Sequence, residues 1–413
     1  MSSARIVLVG GGVAAAATAA GLRAKGFDGP ITLVGDEPEP PYERPPLSKE
    51  FLAGGLRTED IAARPPTWYL DNDVELRIGT RVTALDVDRR RVATETGEQL
   101  PYGTLVLATG LSPRRLPGFA GEGVHYLRTA ADAHGLRTRL ASARHVAILG
   151  AGFIGCEVAA TAIGLGKQVT IFEPATAPLA PALGAAIGTV LMDIHRARGV
   201  DVRIGQTATS LARTDDRLVL DTDRGDHLEC DLVLVGIGAV PNSELAQRAG
   251  LAVGNGILVD EYGRTSAPDV YAIGDVAARH HPRYGQRIRV EHHDNALRQG
   301  LNLAANLTGT DEPYSEPHWF WSDQYEYSLQ SVGRAIDLDD LVVRGSFDRR
   351  EFSAFSVAEG RITAVISLNR PADVLAARRL VFAEHTVTID ELRDETLPLK
   401  RLVPRRSPAG APR

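Results

Sequence analysis

Two short glycine motifs carry most of the chemistry in this sequence: Gly10-x-Gly12-x-x-Ala15 and Gly150-x-Gly152-x-x-Gly155. In this spacing the first glycine permits a tight turn and the second lets backbone approach a pyrophosphate. The third small residue lets a helix pack closely on its strand. A helix opening at either motif would turn unpaired N–H groups and a partial positive charge toward phosphates. Val13 and Ala14 complete the first turn, Phe153 and Ile154 the second. Each motif is followed by a spaced acid, Asp36 at 24 residues past Gly12 and Glu173 at 18 past Gly155. A carboxylate there accepts hydrogen bonds from an adenosine ribose. At Glu173 it would also repel a 2′-phosphate, and the following Pro174-Ala175-Thr176 offer no arginine to pair with one. NADH is therefore expected over NADPH. Two such sites imply two dinucleotides, and a nicotinamide with a flavin is the pairing that makes redox sense.

The flanking pattern supplies the elements these turns need. Arg5 to Gly10 reads as a buried parallel strand, Ala14 to Lys25 as an alanine-rich helix and Ile31 to Val34 as a second strand. His145 to Leu149, Phe153 to Gly166 and Val169 to Phe172 repeat the unit about 140 residues later. Leu105 to Gly110, Leu232 to Gly238 and Val270 to Asp275 are further strands that end in glycine turns. From Trp319 onward short antiparallel strands are expected at Tyr327–Val332, Leu341–Phe347, Phe352–Val357 and Ile362–Leu368, then a helix at Pro371–Phe382. The fold class is α/β: two doubly wound dinucleotide-binding domains plus a C-terminal α+β domain. The expected boundaries are 1–111 with 246–318 for a discontinuous first domain, 112–245 for the second and 319–413 for the third. The Arg- and Pro-rich tail after Arg401 should fray.

Composition removes other classes. The 413 residues are 44% hydrophobic and 24% charged, an ordinary globular balance. A net charge of -6 gives no reason to expect nucleic acid. No apolar run approaches the ~20 residues that span a membrane. The N-terminus runs straight into the first turn, leaving no room for a signal peptide, so a cytoplasmic location is expected. Cys156 and Cys230 form no Cys-x-x-Cys, which argues against a disulfide framework or a dithiol centre of that kind. His280, His281, His292 and His293 lack the acid or cysteine spacing of a metal site, so no metal is expected. Lysine is rare: only Lys25, Lys49, Lys167 and Lys400 occur.

Several longer motifs carry a family resemblance. They are Arg44-Pro45-Pro46-Leu47-Ser48-Lys49, Leu107-Ala108-Thr109-Gly110, Tyr126-Leu127-Arg128-Thr129, Gly150 to Glu157, Tyr271 to Asp275 and Trp319 to Tyr325. Together they resemble the NADH-dependent, putidaredoxin reductase-like ferredoxin reductases of bacterial oxygenase systems, over nearly the whole chain. That resemblance implies a glutathione reductase-like fold, with an FAD domain interrupted by an NADH domain. It implies Lys49 beside the flavin ring, with Glu157 facing the flavin and paired to Lys49. Asp275, after Gly274, would bond the FAD ribityl chain. Arg44 and Arg128 would touch the adenosine and pyrophosphate, and Val82 the adenine through its backbone. Ala108, Thr109 and Gly110 would line the FAD turn and Gly238 the NADH side. Trp321 would lie near the exposed flavin edge, where an iron–sulfur partner docks. His293 stands where an apolar or aromatic residue is expected to cap the flavin's pyrimidine end through its backbone.

The implied reaction is hydride transfer from NADH to FAD, with alignment carrying much of the catalysis. Single electrons would then pass to a [2Fe-2S] ferredoxin that supplies a cytochrome P450 or Rieske oxygenase. A disulfide or peroxide reductase needs a cysteine near the flavin, and Arg44 to Lys49 contains none. A redox sensor similar to apoptosis-inducing factor is the other reading. It would call for a long C-terminal insertion and basic patches. The modest excess of Lys and Arg after Arg344 suits an acidic ferredoxin better.

Overall fold

The structure is a computed structural model that describes residues 5–214, 217–381, 383 and 385–403. The chain forms two compact units. One comprises Met1–Arg114, Arg128–His134 and Gly238–Glu316; the other comprises Arg115–Leu127, Gly135–Ile237 and Pro317–Arg413.

The first unit is built on a five-stranded parallel sheet. Its order is Val270–Ala272, Thr104–Leu107, Ile6–Val9, Ile31–Val34, Val74–Arg77. Ile6 to Val9 are all buried, as a central parallel strand covered on both faces must be. The helix Val13–Ala24 follows at once. Its alanine content has a packing reason, because the helix His293–Leu307 lies hard against it. A Cβ on Gly300 would stand 2.5 Å from the Ala14 carbonyl oxygen, and one on Gly21 would meet the Ala304 Cβ at 2.7 Å. A three-stranded antiparallel sheet, Val82–Asp86, Arg91–Thr94 and Gln99–Pro101, completes the segment between Val74–Arg77 and Thr104–Leu107.

The second unit repeats the design. Its parallel sheet runs Asp201–Ile204, Gln168–Glu173, His145–Leu149, Leu232–Val235, Val124–His125. The helix Phe153–Gly164 follows the fingerprint. It ends two residues before the expected Gly166, which adopts a left-handed φ of +74°. A second antiparallel insert holds Ala208–Thr214, Arg217–Thr222 and His227–Cys230.

The same unit contains a five-stranded antiparallel sheet ordered Trp319–Gln324, Tyr327–Gly333, Arg361–Leu368, Glu351–Ala358, Val342–Ser346. The helix Pro371–Leu380 covers one face, with Val332, Phe355, Val365, Val374 and Leu380 in the core. This is the expected α+β block, with the edge strand Trp319–Gln324 added. The expected helix end at Phe382 and most of the tail after Arg401 lie outside the described residues.

Candidate active site

Both fingerprints sit between a strand and a helix at the C-terminal end of a parallel sheet, where doubly wound folds bind ligands. Gly10 has a φ of +129°, and a Cβ there would stand 2.1 Å from the Ala108 carbonyl oxygen. Gly150, at φ +98°, would meet the Gly236 oxygen at 2.6 Å. Gly12 differs, because its Cβ position has nothing within 4 Å. The turn itself demands the first glycine, while the second leaves open room for a phosphate. Gly12 and Gly152 are the N-caps of their helices, and neither helix has a capping side-chain hydrogen bond. Their first N–H groups are therefore suited to an anion.

In the first unit a charged cluster gathers around this turn. Arg44 donates to Glu37 Oε1 at 2.6 Å, to the Arg128 carbonyl at 2.6 Å and to Tyr42 Oη at 3.2 Å. The Tyr42 hydroxyl in turn bonds Glu37 and accepts from the Ala130 N–H. Arg128 donates to Asp275 Oδ2 at 3.1 Å. Its Nε is buried without a hydrogen-bond partner, a costly arrangement that an anion would relieve. Burial pushes the Asp275 carboxyl up, against the pull of Arg128. Burial, and then Arg44, pushes the Arg128 guanidinium down. Desolvation therefore outweighs pairing on both sides of this ion pair. The orphaned Nε, the open Gly12 and the uncapped helix together fit a dinucleotide pyrophosphate.

The other expected first-site residues take definite places. Asp36 is exposed and pairs with Arg81 at 3.1 Å. Val82 opens the first strand of the antiparallel insert. Thr109 Oγ1 donates to the Asn242 carbonyl at 2.7 Å, and Gly110 has a φ of +65°. A Cβ on Gly274 would lie 3.1 Å from that of Ala14, which brings Asp275 close to the first helix. Lys49 caps a short 3-10 turn, Pro45–Ser48, and donates to the Pro45 carbonyl at 3.0 Å. His293 is the first residue of its helix, and its ring pairs with Glu43. Gly238 is exposed at φ +100°, and its carbonyl accepts from the Arg114 N–H at 2.9 Å.

In the second unit the Glu173 carboxylate sits against the fingerprint turn. It accepts from the Ala151 N–H at 2.7 Å and from the Ala175 N–H at 2.8 Å. Both oxygens keep lone pairs for ribose hydroxyls. Gly155 lies so close to the turn that a Cβ would stand 2.1 Å from the Gly150 oxygen. Phe153 packs edge-on against Phe320 with ring centroids 4.9 Å apart, and Ile154 is 40% exposed at the helix start. Glu157, the fifth residue of that helix, is buried and accepts from Ser322 Oγ at 2.7 Å. Trp321 stacks on Trp319 with centroids 4.9 Å apart, and Arg378 lies 4.9 Å above the Trp319 ring.

Sequence reasoning missed Glu37 and Tyr42, which hold Arg44. It also missed Ser322, whose contact with Glu157 spans 165 positions. The pair Asp36-Glu37 was the one available hint, since two acids end that strand and only one was assigned.

The chain was compared with known proteins. Residues 4–300 match the family described as pyridine nucleotide-disulphide oxidoreductase, and residues 319–403 match the reductase C-terminal family. The chain is 42% identical to rhodocoxin reductase of Rhodococcus erythropolis, over 97% of this chain and 94% of that one. It is also 42% identical to the anthranilate 1,2-dioxygenase system ferredoxin--NAD(+) reductase component of Burkholderia cepacia, over 97% and 99%. The crystal structure of the covalent putidaredoxin reductase–putidaredoxin complex matches with a TM-score of 0.94 at 38% identity, covering 98% of this chain and 99% of that one. This chain belongs to the ferredoxin reductases of the pyridine nucleotide-disulphide oxidoreductase family. Its glutathione reductase-like fold was the expected one.

Among ferredoxin reductases the fate of the thiols matters, because the wider family name refers to disulphides. Here both cysteines are buried and free. Burial, then Glu157 and Glu173, raises the Cys156 thiol far above its ordinary range. Burial pushes Cys230 up to about 12. Neither can supply a thiolate near neutral pH. Among the described residues no helix is long and apolar enough to cross a membrane, and no group of three His, Cys, Asp or Glu could hold a metal.

Proposed function

We propose that this ferredoxin reductase draws electrons from NADH through FAD and delivers them to a [2Fe-2S] ferredoxin, which supplies a cytochrome P450 or Rieske oxygenase. The observation that carries the reading is two complete dinucleotide turns in a chain whose two thiols are buried and protonated. FAD, when bound, accepts hydride from NADH and gives its electrons up one at a time.

The chain's own residues bind and align. The N–H groups of Val13 to Ala15 and the buried Arg128 Nε hold the FAD pyrophosphate, and Arg44 braces Arg128. Asp36 takes the adenosine ribose, releasing Arg81, and the Val82 backbone meets the adenine. Asp275 bonds the ribityl chain, while Ala108, Thr109, Gly110 and Gly274 shape the turn around it. His293 caps the flavin's pyrimidine end from its helix N-terminus. Lys49 would sit beside the flavin ring, where an ammonium stabilises negative charge. Glu173, Gly150 to Gly155 and Gly238 receive NADH, and Glu157 faces the reacting ring. The Lys49–Glu157 ion pair implied by the resemblance is part of this proposal. So are domain boundaries of 1–111 with 246–318 for FAD, 112–245 for NADH and 319–413 for the C-terminal block. Trp321, stacked on Trp319, offers an aromatic surface at the electron exit. A cytoplasmic location goes with the reading, because NADH is drawn from that compartment and reduced ferredoxin is returned to it.

The test is steady-state. Ferricyanide reduction by NADH should be rapid with the purified holoprotein alone, whereas cytochrome c reduction should require an added [2Fe-2S] ferredoxin and saturate with it. Rapid ferricyanide reduction without any ferredoxin response would overturn the partner and leave the flavin chemistry standing. A response to a rubredoxin alone would replace the partner.

A further inference from the structure

A continuous file of side chains, half-buried at Tyr325 and buried from His195 onward, ends on Glu157. All of it lies within the second unit, drawn from the fingerprint helix Phe153–Gly164, the helix Ala185–Ala197 and the edge strand Trp319–Gln324 with the turn after it. Tyr325 Oη lies 2.9 Å from His195 Nδ1, and His195 Nε2 lies 3.0 Å from Gln324 Oε1. Gln324 Nε2 donates to Ser322 Oγ at 3.1 Å, and Ser322 Oγ donates to Glu157 Oε1 at 2.7 Å. His195 and Ser322 are 0% exposed, Gln324 2% and Glu157 5%.

The chemistry of each group fixes its direction. Gln324 Oε1 can only accept, so His195 Nε2 carries the proton and Nδ1 accepts from Tyr325. Burial pushes the His195 imidazole down to about 4, so the ring is neutral and offers one donor and one acceptor. Every link therefore donates toward Glu157. The strand makes this possible by alternation. Phe320, Ser322 and Gln324 share the face that meets Phe153, Glu157 and His195, while Trp319 and Trp321 stack on the other. Tyr325 holds a left-handed φ of +57°, an uncommon conformation for a bulky residue, in the turn that aims its hydroxyl at His195. Arg198 lies 5.1 Å above the Tyr325 ring and pairs with Glu326, so the start of the file is held as well as its end.

We infer that His195, Gln324 and Ser322 are positioning residues for Glu157, a one-way hydrogen-bond file that fixes its carboxyl for hydride transfer from NADH. A buried polar file satisfied at every link rigidifies its terminal group, because any other rotamer would leave several buried groups unpaired. The inference rests on the proposed role of Glu157 and deepens it. It also assigns the strand that carries Trp321 a second task on its opposite face.

The test uses the full-length, FAD-loaded protein with Ser322→Ala, Gln324→Leu, His195→Phe, His195→Gln and Glu157→Ala. Single-turnover bleaching of the flavin at saturating NADH reads alignment, and the NADH dissociation constant reads binding. A misaligned reacting group costs about ten- to a hundredfold in rate. Ser322→Ala, Gln324→Leu and His195→Phe should slow bleaching by about that factor, with NADH affinity changed by less than about twofold. His195→Gln, which can accept at one end and donate at the other, should recover most of the rate. In the Glu157→Ala background, Ser322→Ala should add less than about twofold. A readout independent of flavin and of any variant is 15N NMR of the histidines. At neutral pH His195 should be a neutral ring protonated at Nε2; a charged ring or one protonated at Nδ1 overturns the file. If Glu157→Ala is slow while Ser322→Ala and Gln324→Leu bleach at the parent rate, the file is overturned and the role of Glu157 stands. If Glu157→Ala itself bleaches at the parent rate, that role falls and the inference with it.

Discussion

The two fingerprint turns share a spacing, yet their surroundings are built on opposite terms. Around the first, charges are buried and incompletely satisfied: Arg128 Nε has no partner, and burial works against both Arg128 and Asp275. Around the second, the acid is already satisfied, because Glu173 accepts from the N–H groups of Ala151 and Ala175. The third motif position differs in the same sense. Ala15 carries its methyl fully buried, and the first helix meets another helix closely at Gly300 and Gly21. Gly155 tolerates none, because the second helix presses on its own turn. A site whose buried charges want a ligand suits a cofactor that stays, and a site whose acid is already held by backbone N–H groups suits a substrate that comes and goes. FAD in the first and NADH in the second fit that division.

Loss of the resident cofactor should separate the two sites most. Stripping FAD should lower unfolding stability by about 4 kcal/mol, the linkage expected of a ligand held about a thousandfold above its dissociation constant. Adding NADH to the holoprotein should shift the melting temperature far less. Equal shifts in calorimetry would remove the distinction.

Acid sensitivity should come next in size. His195 has its folded pKa pushed down to about 4 by burial, against about 6.5 unfolded. Above pH 6.5 both states are neutral and the stability is intact. As pH falls the unfolded chain binds the proton first, so stability is lost between about 6.5 and 4, by about 3 kcal/mol. His292, also pushed down to about 4 by burial, sets the same window in the first unit. Denaturant titrations at several pH values should show that His195→Gln removes the second unit's share only.

Gly155→Ala should follow, at about 2–3 kcal/mol, since a Cβ 2.1 Å from a backbone oxygen forces the helix to shift. Ala15→Gly should cost only about 1 kcal/mol, the usual helix penalty. Chemical denaturation of the two variants compares them, and equal costs would mean the two turns pack alike. Cofactor choice should change by a modest amount. Glu173→Ala should raise the NADH KM about tenfold with kcat nearly unchanged, worth about 1.4 kcal/mol of binding. An arginine added nearby should then move preference toward NADPH, and unchanged NADH kinetics would mean that Glu173 does not hold the ribose.

What was legible in the sequence was whatever local backbone chemistry dictates. The two turns, their flanking strands and helices, and most strands after Trp319 follow from glycine spacing and from apolar runs. The antiparallel inserts at 82–101 and 208–230 were not foreseen, because Val82–Asp86 and Ala208–Thr214 are largely exposed and show no buried alternation, although Arg91–Thr94 and Arg217–Thr222 do alternate. Arg44 and Arg128 could be read as candidates, but the hold of Glu37 and Tyr42 on Arg44 could not. The file from His195 to Glu157 was invisible for the same reason. Its links are set by which elements lie side by side, and nothing in the spacing of Glu157, His195 and Ser322 marks them as neighbours.

Double-mixing rapid kinetics can follow electrons from NADH into the flavin and out to a ferredoxin. Anaerobic holoprotein is first mixed with one equivalent of NADH, which should bleach the flavin band, and with NADPH, which should do so far more slowly. The reduced protein is then mixed with an oxidised [2Fe-2S] ferredoxin. The flavin band should return at a rate that rises with ferredoxin concentration, while the ferredoxin spectrum shows its reduction in step. A bleached flavin that no ferredoxin re-oxidises would contradict that route.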